Sequence, residues 1–209
     1  MASQKRAATG PLPDENAEQQ AKQLREVFAD APDMAKRALE NVLKDLVTQA
    51  TEASPAMRSA GRIGSRQGTV SELTIIVPFA PGGAERLRAI LKLAKGNFVE
   101  ADRIGTVHDM RFVFLDNDTK LLFATAYDGE WDAYIDDFAT KVPNYMDMLF
   151  SAGEDWPGIH DPSVKDWIAE RQVTAEGWYV ANPHLTVVDT RRLERVGKAV
   201  DEFLDKVGD

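Results

Sequence analysis

The chain has 209 residues, of which 44% are hydrophobic and 28% are charged. This is the composition of an ordinary globular protein, and the length suffices for one domain with a substantial core and an appendage. Cysteine is absent, which excludes disulfides, thiolate metal sites and cysteine nucleophiles. The chain contains no apolar run of about 18 residues, so no membrane span is predicted. The N-terminus lacks the apolar segment of a secretory signal. We therefore expect a cytoplasmic protein without a membrane span.

The net charge of −9 is spread unevenly along the chain. Residues 1–70 carry ten Lys and Arg against nine Asp and Glu, a balance of +1, whereas the remaining residues carry fifteen against twenty-five, a balance of −10. Binding to nucleic acid depends on the neutralisation of phosphates by basic side chains. The acidic main part therefore argues against a nucleic-acid partner.

The first third of the chain predicts an appendage. Residues 1–13 suggest a disordered tail, residues 14–53 an amphipathic helical segment, and residues 54–70, which hold three glycines and a proline, a flexible linker. The second predicted helix has apolar residues at three-four spacing: Met34, Ala35, Ala38, Leu39, Val42, Leu43, Leu46 and Val47. This stripe could dock on a protein partner, and packing within the chain explains it equally well.

Residues 71–209 predict an α+β domain. A β-branched strand at Glu72–Phe79 precedes a helix from about residue 83 to 95, and two strands then flank the polar turn 116–119. Further helices are expected at about 129–140, 143–152 and from 161, a fourth strand at Ala175–Ala181, and a last helix opened by Thr186 and Asp189 as a capping box. The order is βαββαβ with additions, which predicts a ferredoxin-like antiparallel sheet with extra helices and the N-terminal helical appendage.

In such a fold, helices cover one face of the sheet and leave the other bare. An apolar sheet face of this kind is usually buried against a second sheet, often that of a partner subunit. No second βαββαβ unit occurs in the chain. We therefore expect a homodimer.

The hairpin around residues 116–119 fixes which side chains share a face. If Leu115 lies opposite Lys120, strand alternation places two sets on opposite sides of the sheet. The first set is rich in aromatic residues, as expected of a core beneath helices: His108, Met110, Phe112 and Phe114 opposite Tyr127, Thr125, Phe123 and Leu121. The second set places Asp109, Arg111 and Val113 opposite Ala126, Ala124 and Leu122, so that two alanines leave room beside the charges.

Three residues of the first hairpin strand are candidates for catalysis. His108 could be a haem or metal ligand or a general base, or a buried histidine bonded to Tyr127 or to a backbone carbonyl. Arg111 could hold a carboxylate or phosphate or polarise a bound peroxide, or it could pair with Asp109 or with a carboxylate across the dimer. Because His108 and Arg111 are expected on opposite faces, they do not readily serve one ligand within one sheet.

Other candidates are weaker. His184 lies in a loop and could reach the mouth of a pocket, and Tyr127 is a further candidate cofactor contact. Asp128, Asp132 and Asp136 recur at helical spacing, but solvated carboxylates explain them better than a metal cage does. The sequence therefore predicts no metal site.

The segment from Gly105 to Phe138, GTVHDMRFVFLDNDTKLLFATAYDGEWDAYIDDF, resembles a family of uncharacterised bacterial proteins with the pattern GTVHxxRFVxLD…LLFxTxYDGxWDxYIDDF. The resemblance extends from about Leu73 to Phe150 and leaves out the N-terminal helices. It implies the dimeric α/β-barrel class, which also contains haem proteins such as dye-decolourising peroxidases and chlorite dismutases. The GxxDG motif of those peroxidases is absent, since Tyr127-Asp128-Gly129 keeps only its last two residues.

Two functions follow as expectations. The resemblance implies a small-ligand-binding or oxidoreductase-like dimeric barrel, with haem as the candidate cofactor. Its candidate catalytic residues are Arg111, Asp109 and His108, and its candidate cofactor contacts are His108, His184 and Tyr127. The alternative is a non-enzymatic assembly or adaptor protein that docks on a partner through residues 14–53. The sequence does not decide whether the protein is an enzyme.

Overall fold

The computed structural model describes residues 13–48, 57–94 and 98–207. The chain divides between Ser54 and Pro55 into two compact units. The predicted tail over residues 1–13 lies, except for its last residue, outside the described residues, as do residues 49–53 of the predicted helical segment.

The first unit is a helical hairpin of α1, Pro13–Val27, and α2, Asp33–Thr48. The guanidinium of Arg25 donates two hydrogen bonds to the carboxylate of Glu40, at 2.7 and 2.9 Å, and so joins the two helices. The amphipathic spacing of α2 separates its side chains into two groups. Leu39 and Leu43 are partly buried, whereas Met34 and Val42 are exposed.

The second unit contains a five-stranded antiparallel sheet in the order β1-β2-β3-β5-β4. Its strands are β1 at Arg58–Ser59, β2 at Ser65–Gln67, β3 at Val70–Pro78, β4 at Val107–Leu115 and β5 at Lys120–Asp128. The predicted linker over residues 54–70 thus contains two strands. Its glycines make turns, since Gly64 and Gly68 have φ of 83° and 61°, a region that side chains disfavour.

Six helices accompany this sheet in the described part of the second unit. They are α3 at Gly83–Leu93, α4 at Val99–Ile104, α5 at Trp131–Lys141, α6 at Pro143–Phe150, α7 at Val164–Glu170 and α8 at Val187–Val207. The core combines residues of the sheet with residues of α3 to α7, including Ile75, Phe123, Leu87, Phe138, Phe150 and Trp167. As predicted, the aromatic face of the hairpin lies in this core.

The β4–β5 pairing follows the predicted register from Leu115 opposite Lys120 to Asp109 opposite Ala126. At the turn, Asp116, Asn117 and Asp118 all adopt positive φ, as Asn and Asp tolerate. Beyond Asp109 the ladder shifts at a β-bulge, and Val107 pairs with Tyr127. The prediction that His108 lies opposite Tyr127 is therefore wrong, because the bulge inserts one unpaired residue into β4.

The predicted fourth strand at Ala175–Ala181 is also wrong. These residues form a loop, in which the side chain of Tyr179 is 82% exposed. The backbone carbonyl of Trp178 accepts a hydrogen bond from the side-chain amide of Gln67. The edge of β3 is instead lined by residues 171–173. The amide of Ile76 donates to Arg171, and the amide of Val173 donates to Thr74.

The protein is therefore a mixed α+β structure built on an antiparallel sheet. Over the described ranges, no helix combines the length and apolar character that a bilayer crossing requires.

Candidate functional site

His108 and Asp128 meet at the end of the sheet where β4 begins and β5 ends. The Nε2 atom of His108 lies 2.8 Å from Oδ1 of Asp128, and the two side chains are 23% and 11% exposed. The bulge that removes His108 from the ladder directs it to this carboxylate rather than to Tyr127. The sequence offered Tyr127 or a backbone carbonyl as the hydrogen-bond partner of a buried His108. In this structure its partner is Asp128 instead.

Asp128 also fixes the start of α8. Its second carboxylate oxygen, Oδ2, accepts a hydrogen bond from the amide of Val187 at 2.9 Å. An anion at a helix N-terminus is favoured by the free amides and the helix dipole. Asp128 therefore links three elements, β4 through His108, its own strand β5, and α8.

The predicted capping box completes the same helix start. The amide of Thr186 donates to Oδ2 of Asp189, and the amide of Asp189 donates to the hydroxyl of Thr186, both at 3.1 Å. The hydroxyl of Thr186 also donates to this carboxylate, and these hydrogen bonds lower the pKa of Asp189 below its ordinary value. The N-terminus of α8 is thus well anchored.

Arg111 and Asp109 lie on the opposite, open side of the sheet. The Nε atom of Arg111 is 3.3 Å from Oδ1 of Asp109, and the two side chains are 66% and 52% exposed. This exposed pair is the structural role that the sequence offered for Arg111, and it makes a weak contribution to stability. His108 contacts Asp128 and Arg111 contacts Asp109, so these contacts do not bring the proposed catalytic residues into one site.

The neighbours of Arg111 form an open sheet surface. Strand alternation and register place rows from three strands side by side on this face: Val113, Leu122 and Ile76, then Arg111, Ala124 and Thr74. Val113 is 42% exposed, and Leu122 and Ile76 are half-buried. Ala124 and Ala126 are themselves only 8% and 7% exposed, whereas the side chains of Arg111 and Asp109 beside them are more than half exposed.

Tyr127 belongs to the core. Its side chain is fully buried, and its ring stacks on that of Tyr134 with centroids 3.8 Å apart and planes 9° apart. Burial raises the pKa of Tyr127, with the negative charges of Glu72 and Glu130 as further causes. A neutral, stacked phenol in this position supports packing of α5 on the sheet.

The remaining candidates do not converge on a metal. His184 is exposed in the turn before α8. Asp132 and Asp136 both pair with the ammonium of Lys165, at 3.0 and 2.8 Å. Among the residues that the structure describes, no three His, Asp or Glu side chains are grouped in a way that would hold a metal ion.

Two cavities in the core are each about 20 Å³, roughly the space of one water molecule. Both are lined mainly by apolar side chains, and they share Phe123, Phe138, Met146 and Phe150. Neither is lined by His108 or Arg111. A haem or substrate pocket measures hundreds of cubic ångströms, so neither cavity holds such a ligand without rearrangement.

Glu72 is a buried carboxylate that sequence reasoning missed. It is 4% exposed and accepts hydrogen bonds from the amide of Ser65, at 3.2 Å, and from the hydroxyl of Thr74, at 3.3 Å. The amide of Ala175 also approaches it at 3.4 Å. These donors offset the cost of burying its charge and join β2 and β3 to the loop that follows α7. The alternation of its strand placed Glu72 on the polar face, but no local signal showed that a loop covers it.

Two exposed apolar surfaces stand out on the helices. We call Met34, Ala38 and Val42 the outer strip of α2, since Met34 is 72% and Val42 52% exposed. We call Leu193, Val196, Val200, Phe203 and Val207 the α8 seam, whose members are 48–67% exposed. The sequence predicted an apolar stripe on α2 and a capping box at the start of α8, but not which apolar side chains of these helices remain uncovered.

Comparisons of the chain with protein-family models, with curated proteins and with solved structures gave no match. The resemblance of residues 105–138 to a bacterial family of the dimeric α/β-barrel class therefore stays a prediction.

Proposed function

We propose that the protein is a non-enzymatic assembly or adaptor protein that docks on a protein partner through its N-terminal helices. The observation that carries this proposal is the outer strip of α2. Met34 and Val42 are about two turns apart on one face, and both are more than half exposed. Val27 of α1, 78% exposed, adds to the apolar surface of the same hairpin.

A partner with an apolar groove fits this surface. Amphipathic helices bind such grooves through apolar residues at three- and four-residue spacing, which is the spacing of Met34, Ala38 and Val42. Lys36 is exposed on the side of α2 away from the outer strip, whereas Arg37, one turn from Met34, borders the strip. The helix therefore offers one exposed apolar strip for binding, with a lysine on the side away from it.

In the test, the full chain captures its partner, the partner is purified, and its binding to two variants of the full chain is compared. Met34→Glu with Val42→Glu lowers the net charge by two within the outer strip, and Lys36→Glu lowers it by two on the opposite side of the helix. We expect the double variant to lose the partner and Lys36→Glu to retain it. Equal binding by both variants would contradict docking through the strip.

We further propose a ferredoxin-like sheet whose open surface pairs with that of a second copy in a homodimer. The order β3-β5-β4 and the edge contacts of residues 171–173 beside β3 support the ferredoxin-like arrangement. The partly exposed row of Val113, Leu122 and Ile76 supports the dimer. A chain without cysteine suits the reducing cytoplasm, which we propose as its location. If Val113→Glu has the same mass in solution as the unmodified protein, this dimer is contradicted.

The small-ligand-binding or oxidoreductase-like barrel is the second candidate. One observation favours it: a histidine oriented by a carboxylate, His108 with Asp128, is a common arrangement for metal ligation and proton transfer. The test is titration of the full chain with hemin. This candidate predicts a Soret shift that His108→Ala abolishes and that His184→Ala leaves in place or weakens. An absent shift in the unmodified chain would exclude the haem version.

A further inference from the structure

The last helix, α8, extends from the folded unit with almost no contacts of its own. Val187 is its one buried residue, and the guanidinium of Arg191 pairs with Asp102. From Arg192 to Val207 every residue is exposed. A helix of 21 residues is about 31 Å long, so most of its length is uncovered.

Five of the seven large exposed apolar residues of α8 follow a heptad. Leu193, Val196, Val200, Phe203 and Val207 are separated by three, four, three and four residues, which is the a and d spacing of a coiled coil. Leu204, 58% exposed, adjoins this seam beside Phe203, and Val188 lies outside it. The seam and Leu204 form one continuous apolar face that a facing helix can cover.

The charges of α8 specify the direction of that helix. Residues 187–198 carry four basic and two acidic side chains, a balance of +2, and residues 199–207 carry one basic and three acidic, a balance of −2. A second α8 in antiparallel orientation opposes these halves with opposite sign, and it also opposes the helix dipoles. A parallel partner would place like charges together.

Gly197 supplies an independent observation. It lies in the middle of α8, where glycine is the least favourable residue after proline, and a Cβ built there would meet no atom within 4 Å. Packing within the chain therefore does not explain it. Gly197 and Ala199 border the seam on its two edges, so a second helix meets a small residue on either side near the centre of the pair.

We propose that α8 is a self-association surface, which pairs antiparallel with α8 of a second copy of this chain. The pairing places Leu193 against Phe203 of the second copy and Val196 against Val200 of the second copy, which gives four apolar layers by symmetry. This surface is distinct from both the open sheet surface and the outer strip of α2, and it does not depend on the proposed adaptor function.

The test measures distances between spin labels in the full chain at high protein concentration. Because the chain has no cysteine, Ala199→Cys and Lys206→Cys each introduce a single label site. In the antiparallel pair, the two Ala199 positions are offset by about 3 Å along the axis and the two Lys206 positions by about 24 Å. We expect a short distance at position 199 and a long one at position 206. Equal short distances would indicate a parallel pair, and the absence of a short distance at 199 would indicate another occupant; both overturn the proposal.

A second measurement separates the seam from the opposite face of the same helix. Val196→Gln with Val200→Gln places glutamine in the two central layers and should weaken the pairing on the order of tenfold or more, because four buried valines are lost. Glu194→Gln with Lys198→Gln introduces the same residue type outside the seam without a net change of charge, and should leave the pairing unchanged. Circular dichroism should report equal helix content in both. Equal dissociation constants for the two double variants would contradict the proposal, whatever the outcome for α2.

Discussion

The imidazole of His108 and the carboxylate of Asp128 are joined by a 2.8 Å contact that exists because β4 contains a bulge. Without the extra residue, strand alternation would direct His108 into the core beside Tyr127. With it, Asp128 binds His108 through one oxygen and the amide of Val187 through the other. The direction in which α8 leaves the domain therefore depends on this carboxylate.

We expect Asp128→Ala to destabilise the protein more than His108→Ala. Removal of the carboxylate leaves both the imidazole and the Val187 amide without an acceptor, at a cost of about 2 to 3 kcal/mol, whereas removal of the imidazole costs about 1 kcal/mol. Urea unfolding of the two variants measures the difference. Equal losses of unfolding free energy would show that the bond to Val187 has no weight.

The two faces of the hairpin should differ in their tolerance of truncation. Phe123 is 4% exposed and packs on the rings of Phe112 and Phe150, so Phe123→Ala should cost about 3 to 5 kcal/mol. Val113, 42% exposed on the open sheet surface, should cost less than about 1 kcal/mol when changed to alanine. Chemical denaturation checks both values. A large cost at Val113 would indicate that this face is buried, and its dependence on protein concentration would show whether a second copy buries it.

Gly83 is required by close packing rather than by its backbone angles. A Cβ at this position would collide with the carbonyl oxygen of Ala152, where α3 begins against the end of α6. Gly83→Ala should therefore cost about 1 to 3 kcal/mol. The matched control is Gly105→Ala, where a Cβ meets no atom within 4 Å and the penalty comes from φ of 80° alone, about 1 to 2 kcal/mol.

Melting temperatures measure the cost of each glycine variant, and the surroundings of Ala152 separate collision from backbone strain. For Gly83→Ala the crystal structure or the amide shifts should also show displacement of the segment around Ala152. Unchanged surroundings of Ala152 would contradict the collision.

The capping box of α8 should respond to acid. Hydrogen bonds from the hydroxyl and the amide of Thr186 hold the pKa of Asp189 below the ordinary value of 3.8. A lowered pKa means that the carboxylate stabilises the folded helix start above the ordinary value, and that this contribution is lost as the pH falls through the lowered one. The amide shift of Thr186, followed by NMR from pH 6 to pH 2, should titrate below 3.8, and Asp189→Asn should abolish the transition. A midpoint at or above 3.8 would contradict the cap.

Sequence patterns predicted the parts of the fold that depend on local chemistry. The polar turn at 116–119 set the register of β4 and β5, and Thr186 and Asp189 marked the start of α8. The predictions failed where distant segments decide the outcome. Glycine turns and strand pairing made strands of residues 58–59 and 65–67, and residues 171–173, rather than the predicted strand at Ala175–Ala181, line the edge of β3.

The candidate site shows the same division. The pairing of Arg111 with Asp109 was one of the offered alternatives, because both residues lie on one face of one strand. The contact of His108 with Asp128 depends on a bulge that no residue of β4 announces. The outer strip of α2 and the α8 seam are exposed because no other segment covers them. The apolar spacing of a helix carries no information about which of its residues other segments will cover.

Photo-crosslinking in the intact cell shows whether the outer strip of α2 docks on a partner. A photoreactive amino acid replaces Met34 in one full-length variant and Lys36, on the opposite side of the same helix, in another. We expect crosslinks to another protein from position 34 and few or none from position 36. Crosslinks from position 34 that lead only to other residues of the same chain, or equal yields at the two positions, would contradict it.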